Sequence, residues 1–312
     1  MKILLTAIGG DISQSIAKLL KHADPSVHLI GTDTNTENAG KFYVDKFLTI
    51  PFADAPSYLS TMKFIIEKYN VDCVIPINEN EILKFHQHIA NNEYEHSNKI
   101  IIAQTDGFQN FFDKYKTIRF LKNLLPSIGL PWTTYSDVPP KNFPCIYKPL
   151  NSSGSRGLKI ISLKDYERYG YRLEKGIFQE LLYPSSEEYT CGVYRNKSET
   201  QIITLHRQLK GGLTGYAEVV YDEDIFNYCK IIADAIQLNG SINIQLIKTE
   251  TGPKLFEINP RFSSTVIFRH YMHFTDVMWS INDKLFKKCE TNFVVKKVIG
   301  KKFYRVYSEI IE

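Results

Sequence analysis

The apolar positions of the first hundred residues alternate between two rhythms. Ile3-Leu4-Leu5-Thr6 is a short continuous run that fits a buried strand. Gly9-Gly10 then turns the chain into Ile12, Ile16, Leu19 and Leu20 at helical spacing. Residues 27–31 read as the next strand, ending near Asp33, residues 58–69 as a helix and 72–77 as a third strand, and a further helix leads to a strand-like run at 100–103. Strands alternating with helices predict a parallel, doubly wound sheet with ligands beyond the carboxyl ends of its strands. From Asp113 the pattern changes. A helix through Phe120 and Leu124 gives way, past Gly129 and Pro131, to strand-like runs at 144–148, 158–161, 177–182, 187–193 and 202–207. Residues 211–215 predict a mobile loop and 226–238 an amphipathic helix, and a helical stretch through Trp279 precedes a closing basic strand.

The clearest alternation lies in two runs, Ile242-Asn243-Ile244-Gln245-Leu246-Ile247 and Leu255-Phe256-Glu257-Ile258-Asn259, with Thr249-Glu250-Thr251-Gly252-Pro253 as the turn between them. Side chains on a strand point alternately to opposite faces. A hairpin folded about Thr251 sets Gln245 opposite Glu257 and Asn243 opposite Asn259 on one polar face. Ile242, Ile244, Phe256 and Ile258 then form its apolar back. A carboxylate flanked by side-chain amide oxygens is a hard, oxygen-only donor set, which suits magnesium better than zinc or copper. Arg261, one step along the same face, adds a fixed cation for phosphate. The plain alternative is an edge hairpin with a solvated face.

At 312 residues the chain can bury a substantial core in two or three domains. Its 43% hydrophobic and 23% charged residues are ordinary for a soluble globular protein, and a net charge of +4 with scattered Lys and Arg gives no case for nucleic acid or a membrane surface. The apolar run at the start is too short for a signal peptide. Cys73, Cys145, Cys191, Cys229 and Cys289 are odd in number and widely spaced, which predicts buried thiols in a reducing cytoplasm. The opening strand, glycine turn and helix, with Asp33 beyond, outline a dinucleotide site and support a rival reading as a nicotinamide-dependent oxidoreductase. The stretch Ala7-Ile8-Gly9-Gly10-Asp11-Ile12-Ser13 lacks the GxGxxG spacing, however, and Asp11 would set a negative charge beside any pyrophosphate. His206 as a general base, and His270 with His273 as a zinc pair, lack the partners such chemistry needs.

A second candidate for phosphate contact is Asn151-Ser152-Ser153-Gly154-Ser155-Arg156-Gly157, small residues whose backbone N–H groups can close over phosphate oxygens, with Lys148 at its base. Gln245 followed by Glu257-Ile258-Asn259-Pro260-Arg261 resembles the metal-binding end of ATP-grasp ligases, most closely the carbamoyl-phosphate-synthase-like branch. Asp113-Lys114 with its helix and Gly129-Leu130-Pro131, and Lys148-Pro149 before the small-residue loop, are similar to that family in the same order. The resemblance implies α/β and α+β architecture: an N-terminal doubly wound parallel-sheet domain over 1–110, then a two-lobed ATP-grasp unit over 111–312, with lobes 111–191 and 192–312 and ATP between them. It implies that Lys114 (Lys116 in reserve) and Lys148 reach the phosphates, under a lid of Ser153, Gly154, Ser155 and Gly157. The main chain of Leu181 and Leu182 would read adenine, Glu188 would hold the ribose, and Glu180 would lie beside base or ribose. Gln245, Glu257 and Asn259 would hold two Mg2+ ions, for which Mn2+ can substitute. Arg261 and Arg207 are the implied catalytic cations, with Arg269 as a further grip on a substrate carboxylate and Glu79 or Glu81 as contacts from the first domain; helix capping serves those two glutamates equally well.

The implied reaction is ATP- and magnesium-dependent joining of a carboxylate to an amine through an acyl phosphate, releasing ADP and phosphate. Its partners are small molecules, with no nucleic acid or membrane, and a homodimer is compatible. The chain is far too short for the duplicated carbamoyl phosphate synthase itself. A catalytically inactive ATP-binding module is the other alternative.

Overall fold

The computed structural model describes residues 1–150, 157–169, 175–196, 199–287, 291–306 and 308–311. The N-terminal unit holds β1 (Lys2–Leu5), α1 (Asp11–Ala23), β2 (His28–Asp33), β3 (Lys46–Thr49), α2 (Tyr58–Tyr69), β4 (Cys73–Ile75) and α3 (Glu79–Ala90). Its sheet, in the order β3-β2-β1-β4, is parallel throughout. One face packs Ile3, Leu5 and Leu29 against Ile16, Leu19 and Leu20 of α1. The other packs Leu4, Ile30 and Val74 against Tyr58, Met62, Ile66 and Phe85 of α2 and α3. With both faces covered, β1 and β4 read as continuous apolar runs rather than alternations.

Two details differ from expectation. Residues 100–103 do not form a strand: Ile100 makes a single parallel bridge to Val74, after which Gln104 bridges to Asn239 and carries the chain out of the sheet. β3 escaped the pattern because it is short and half-exposed, with no alternation to detect.

The rest of the chain contributes α4 (Lys114–Leu124), β5 (Thr133–Tyr135), β6 (Cys145–Pro149), β7 (Lys159–Ile161), α5 (Leu163–Tyr169) and β8 (Gly176–Glu180). The strands pair as an antiparallel sheet, β5-β8-β6-β7, over a small core of Cys145, Tyr147, Ile161 and Phe178. Then come β9 (Glu188–Asn196), β10 (Glu199–Lys210), β11 (Leu213–Val220), α6 (Glu223–Ala235), β12 (Gly240–Thr249), β13 (Gly252–Asn259), α7 (Val266–Tyr271), α8 (Asp276–Lys284) and β14 (Lys302–Tyr304). These strands form a six-stranded antiparallel sheet in the order β13-β12-β9-β10-β11-β14. β9 runs through position 191 inside this sheet, so the lobe division drawn there falls within a strand.

The segment 211–215, expected as a mobile loop, is the tip of the β10–β11 hairpin and the start of β11. Leu213 pairs with Lys210 and Thr214 with Leu209. Phe262, Val266, Val277 and Ile281 belong to the same core as Ile3, Leu5 and Ile16, so α7, α8 and the N-terminal sheet share one apolar interior. No helix among the described residues is long and apolar enough to cross a membrane.

Candidate active site

β12 and β13 pair with Gln245 opposite Glu257 and Asn243 opposite Asn259, the register expected from the alternation. Beyond Gln245 the ladder slips, so that Leu246 meets Leu255 and Phe256 is left over. Such a bulge rotates the following side chains by one position. Leu255 is therefore fully buried, and Phe256 stands half-buried beside Glu257 instead of in the apolar back. The back is Ile242, Ile244, Leu246, Leu255 and Ile258, packed on Ile225, Cys229 and Ile232 of α6. The Leu255 N–H donates to the Tyr228 hydroxyl at 2.9 Å, and that hydroxyl donates to the Gly129 carbonyl at 2.6 Å.

Between this hairpin and the small sheet lies an apolar pocket of about 290 Å³, with Ile146, Leu158, Ile160, Leu182, Ile247 and Phe256 on its walls. Leu181, Glu180, Glu188 and Lys148 also line it. Lys148 is only 9% exposed, donates to Gln179 Oε1 at 2.7 Å, and sits 4.8 Å over the Phe256 ring. Burial pulls its ammonium down to about 8, with Glu257 and Glu188 opposing the shift and Lys114 adding to it. The Glu180 carboxylate pairs with Lys254 at 2.7 Å and accepts from the Trp132 N–H at 3.3 Å. Gly157 has φ +73°, and a Cβ there would lie 2.9 Å from Pro149 Cγ, so this position just before β7 favours glycine. Ser153, Gly154 and Ser155 lie outside the described residues.

A second, polar chamber of about 750 Å³ opens on the other side of the hairpin face. Asn243, Asn259, Arg261 and Glu79 lie on its walls, along with Thr190 and Thr214. Lys114, Arg207, Leu209, Gln245 and Glu257 line both spaces, so apolar pocket and polar chamber meet at these five residues. Asp113 caps α4 by accepting from the backbone N–H groups of Tyr115 (2.9 Å) and Lys116 (3.0 Å), which sets Lys114 at the helix start facing both spaces. Lys116, the reserve candidate, is exposed and lines neither.

Arg207 joins two of the predicted groups. Its Nε donates to Glu188 Oε1 at 2.9 Å and its Nη2 to Gln245 Oε1 at 2.6 Å. Arg261 pairs with Glu79 across the domain boundary at 2.9 Å. Asn243 is fully buried: its Oδ1 accepts from Thr190 at 2.9 Å while its Nδ2 has no partner among the described residues. Gln245, Glu257 and Asn259 thus present one all-oxygen set on a single face, and the donor chemistry fits magnesium.

Several sequence candidates fall elsewhere. Arg269 cannot grip a substrate: it is fully buried, pairs with Asp276 at 2.9 Å, and lies against Gly192, where a Cβ would come within 2.4 Å of its Nη1. Burial lowers its pKa and raises that of Asp276. Glu81 is buried and accepts from the Thr6 hydroxyl at 2.5 Å, and burial pushes its carboxyl up. It lines a crevice apart from the chamber. His206 Nε2 lies 2.6 Å from the Ser186 carbonyl, with its ring against Tyr189. His270 and His273 join no metal-holding group among the described residues. Cys73, Cys145, Cys191 and Cys229 are free and buried; Cys289 lies outside the described residues. Phe256, Asp11 and Thr214 were not assigned from sequence as lining this site; the bulge, a helix start and a hairpin strand bring them there.

Two family models match this chain in part. The one described as "ATP-grasp in the biosynthetic pathway with Ter operon" matches residues 177–291, and "PylC-like, N-terminal domain" matches residues 3–101. No curated protein matches the chain. Among solved structures, N5-carboxyaminoimidazole synthetase from Staphylococcus aureus complexed with ADP superposes with a TM-score of 0.71 at 12% identity, over 93% of this chain and 78% of that one. N5-carboxyaminoimidazole ribonucleotide synthetase from Thermotoga maritima gives 0.65 at 17% identity, over 94% and 78%. Biotin carboxylase from Campylobacter jejuni gives 0.67 at 13% identity, over 96% and 73%. These likenesses show the fold. Residues 177–291 are thus similar to an ATP-grasp family and residues 3–101 to a PylC-like N-terminal domain, and the fold of the chain is the one these ATP-grasp structures share.

Proposed function

We propose that this chain joins a small-molecule carboxylate to an amine through an acyl phosphate, releasing ADP and phosphate. The observation that carries the reading is the meeting of the apolar pocket and the polar chamber at Lys114, Arg207, Gln245 and Glu257. A nucleotide base in the apolar pocket puts its phosphates at that junction and its γ-phosphate at the chamber mouth. Leu181 and Leu182 offer main-chain groups to the base, Phe256 offers a ring face, and Glu188 and Glu180 stand at the ribose end. Lys148 and Lys114 offset phosphate charge, and Ser153, Gly154, Ser155 and Gly157 supply the lid. Gln245, Glu257 and Asn259 would hold two magnesium ions, or manganese in their place, which would supply positive charge against the transferring phosphoryl group.

A carboxylate oxygen attacks the γ-phosphorus, and the bond to the bridging oxygen of ADP breaks. The amine nitrogen then attacks the acyl carbon, phosphate leaves, and the nitrogen gives up a proton. Arg261 and Arg207 stabilise the charge that builds on the phosphoryl and acyl oxygens, and the rest of the catalysis is alignment.

The nicotinamide alternative has less support. Asp33, where a ribose acid would be needed, already accepts the Gly9 N–H at 2.8 Å.

Hydroxylamine intercepts a mixed anhydride as a hydroxamate, so carboxylates can be screened with ATP, magnesium and hydroxylamine before the amine is known. Hydroxamate, ADP and phosphate should form in equal amounts. AMP with pyrophosphate would mean an acyl adenylate and would remove Glu257 and Asn259 from γ-phosphate transfer. Glu257→Gln keeps the shape of the side chain but not its charge, and should cut turnover at least about a hundredfold while the protein stays folded. An inactive ATP-binding module would give no hydroxamate, whichever carboxylate is supplied.

A further inference from the structure

Five residues line both the apolar pocket and the polar chamber, and four of them carry a charge or an amide: Lys114, Arg207, Gln245 and Glu257. The fifth is Leu209. It is 39% exposed and belongs to none of the apolar cores among the described residues. A single exposed leucine on an open surface needs no explanation. Leu209 stands instead in the wall of the site, at the junction where the proposed reaction brings the γ-phosphate to the carboxylate.

The strand that carries Leu209 is built to hold it there. Arg207 and Leu209 are two apart on β10, and side chains at that spacing share a face. Arg207 is fixed on that face by Glu188 and Gln245. The register of the β10–β11 hairpin shifts between Gln208 and Leu209, and the extra residue, Gly215, falls on β11, so the alternation of β10 is kept. Beyond Leu209 the chain turns through Gly211 and Gly212, at φ +61° and +80°, and both glycines line the chamber together with Leu213. Arg305, just past β14, pins the returning strand. Its backbone N–H donates to the Gly215 carbonyl at 2.8 Å and its Nε to the Thr214 carbonyl at 3.0 Å. The hairpin is thus anchored through β11 and presents an apolar side chain from β10 among charged ones.

We propose that Leu209 shields the acyl phosphate from water, so that an amine rather than water takes the acyl group. This inference rests on the ligase reading and adds a role that the charged residues at the junction cannot fill. In the productive step the amine nitrogen attacks the acyl carbon, phosphate leaves, and the nitrogen gives up a proton. In the wasteful step a water oxygen attacks the same carbon, phosphate leaves, a proton is released and the carboxylate returns unchanged, so ATP is spent for nothing. Charged side chains hold water around them, whereas a leucine offers it no hydrogen bond and displaces it. Leu209 moves no proton; it decides which nucleophile arrives.

The experiment measures hydroxamate and phosphate together for the wild type, Leu209→Ser and Leu209→Met. Each receives ATP, magnesium, a fixed concentration of hydroxylamine and the carboxylate that gives the wild type most hydroxamate. The wild type should form the two products in nearly equal amounts. Leu209→Ser should lower hydroxamate per phosphate by about threefold to tenfold, the scale of a half-covered leucine's apolar contact. Leu209→Met, apolar and of similar volume, should restore the ratio. A defect of folding alone lowers both products and leaves their ratio where it was. In water carrying a heavy oxygen isotope, the excess phosphate from Leu209→Ser should be matched by label in the recovered carboxylate. Melting temperatures with and without MgATP check that each variant is folded, and Leu209→Ala replaces Leu209→Ser if that one is not. An unmoved ratio in the small variant, an equal loss in Leu209→Met, or label in phosphate alone would overturn the shield and leave the ligase reading standing. A wild type that forms hydroxamate from no carboxylate would bring down the ligase reading, and this inference with it.

Discussion

Burial strips water from the Lys148 ammonium, leaving it the Gln179 oxygen at 2.7 Å, the Phe256 ring at 4.8 Å and the nearby charge of Glu257. Its folded pKa of about 8, against an ordinary 10.5, means that the empty site holds the charged form under protest. The sign follows from proton counting. Between these values the unfolded chain binds a proton that the folded one has released, so the Lys148 contribution to stability rises with pH across that window. Nucleotide binding runs the other way, because phosphate needs the charged form. MgATP affinity, followed by calorimetry from about pH 7 to about pH 9.5, should fall above pH 8 by up to about tenfold per unit. Lys148→Met should bind more weakly throughout and flatten the slope. A slope of equal size in that variant would assign the titration to another group. The pair formed by Glu188 and Gln245 with Arg207 is a second residue-scale feature: a guanidinium bridges the expected ribose ligand and the expected metal ligand.

At the scale of elements, the β12–β13 hairpin shows how far periodicity reaches. The register of Gln245 with Glu257 and Asn243 with Asn259 was legible because polar and apolar positions alternate through both runs. The bulge was not, because it depends on a donor–acceptor match with a distant helix: the Tyr228 hydroxyl, on α6, takes the Leu255 N–H. Strict alternation from Glu257 therefore assigns Phe256 to the core and Leu255 to the surface, the reverse of what is found. Arg269 failed for a similar reason, since nothing near it in sequence announces that it packs against Gly192 and pairs with Asp276 inside the fold. The bulge makes a paired prediction. Leu255→Ala should cost about 2–5 kcal/mol of stability in chemical denaturation, as expected of a filled core site. Phe256→Ala should cost under about 1 kcal/mol of stability yet weaken ATP binding about tenfold, through the lost ring face. The opposite ranking in the two measurements would put Phe256 back in the core.

The whole molecule is assembled unequally around its site. The N-terminal sheet and the six-stranded body are joined by a shared core through Phe262, Val266, Val277 and Ile281, by Arg261 with Glu79, and by Arg305 with Asp11. The small β5-β8-β6-β7 sheet instead has its own compact core of Cys145, Tyr147, Ile161 and Phe178, and it meets the body across the apolar pocket, where Lys254 pairs with Glu180. A lobe with few buried apolar groups of its own opens at lower free energy than the body it rests on. A nucleotide filling the pocket between them adds apolar contact to both walls, from Ile146, Leu158 and Ile160 on one side and Ile247 and Phe256 on the other. Binding to the folded state alone stabilises by about 2.7 kcal/mol at a ligand concentration a hundred times Kd, which raises the melting temperature by about 4 °C for a chain of this size. MgATP should therefore raise the melting temperature while NAD and NADP do not. Hydrogen exchange should slow most in β6, β7 and β8, and least in β1 to β4. Protection by MgATP centred on the N-terminal sheet, or stabilisation by a nicotinamide cofactor in its place, would move the nucleotide out of the pocket between the small sheet and β12–β13.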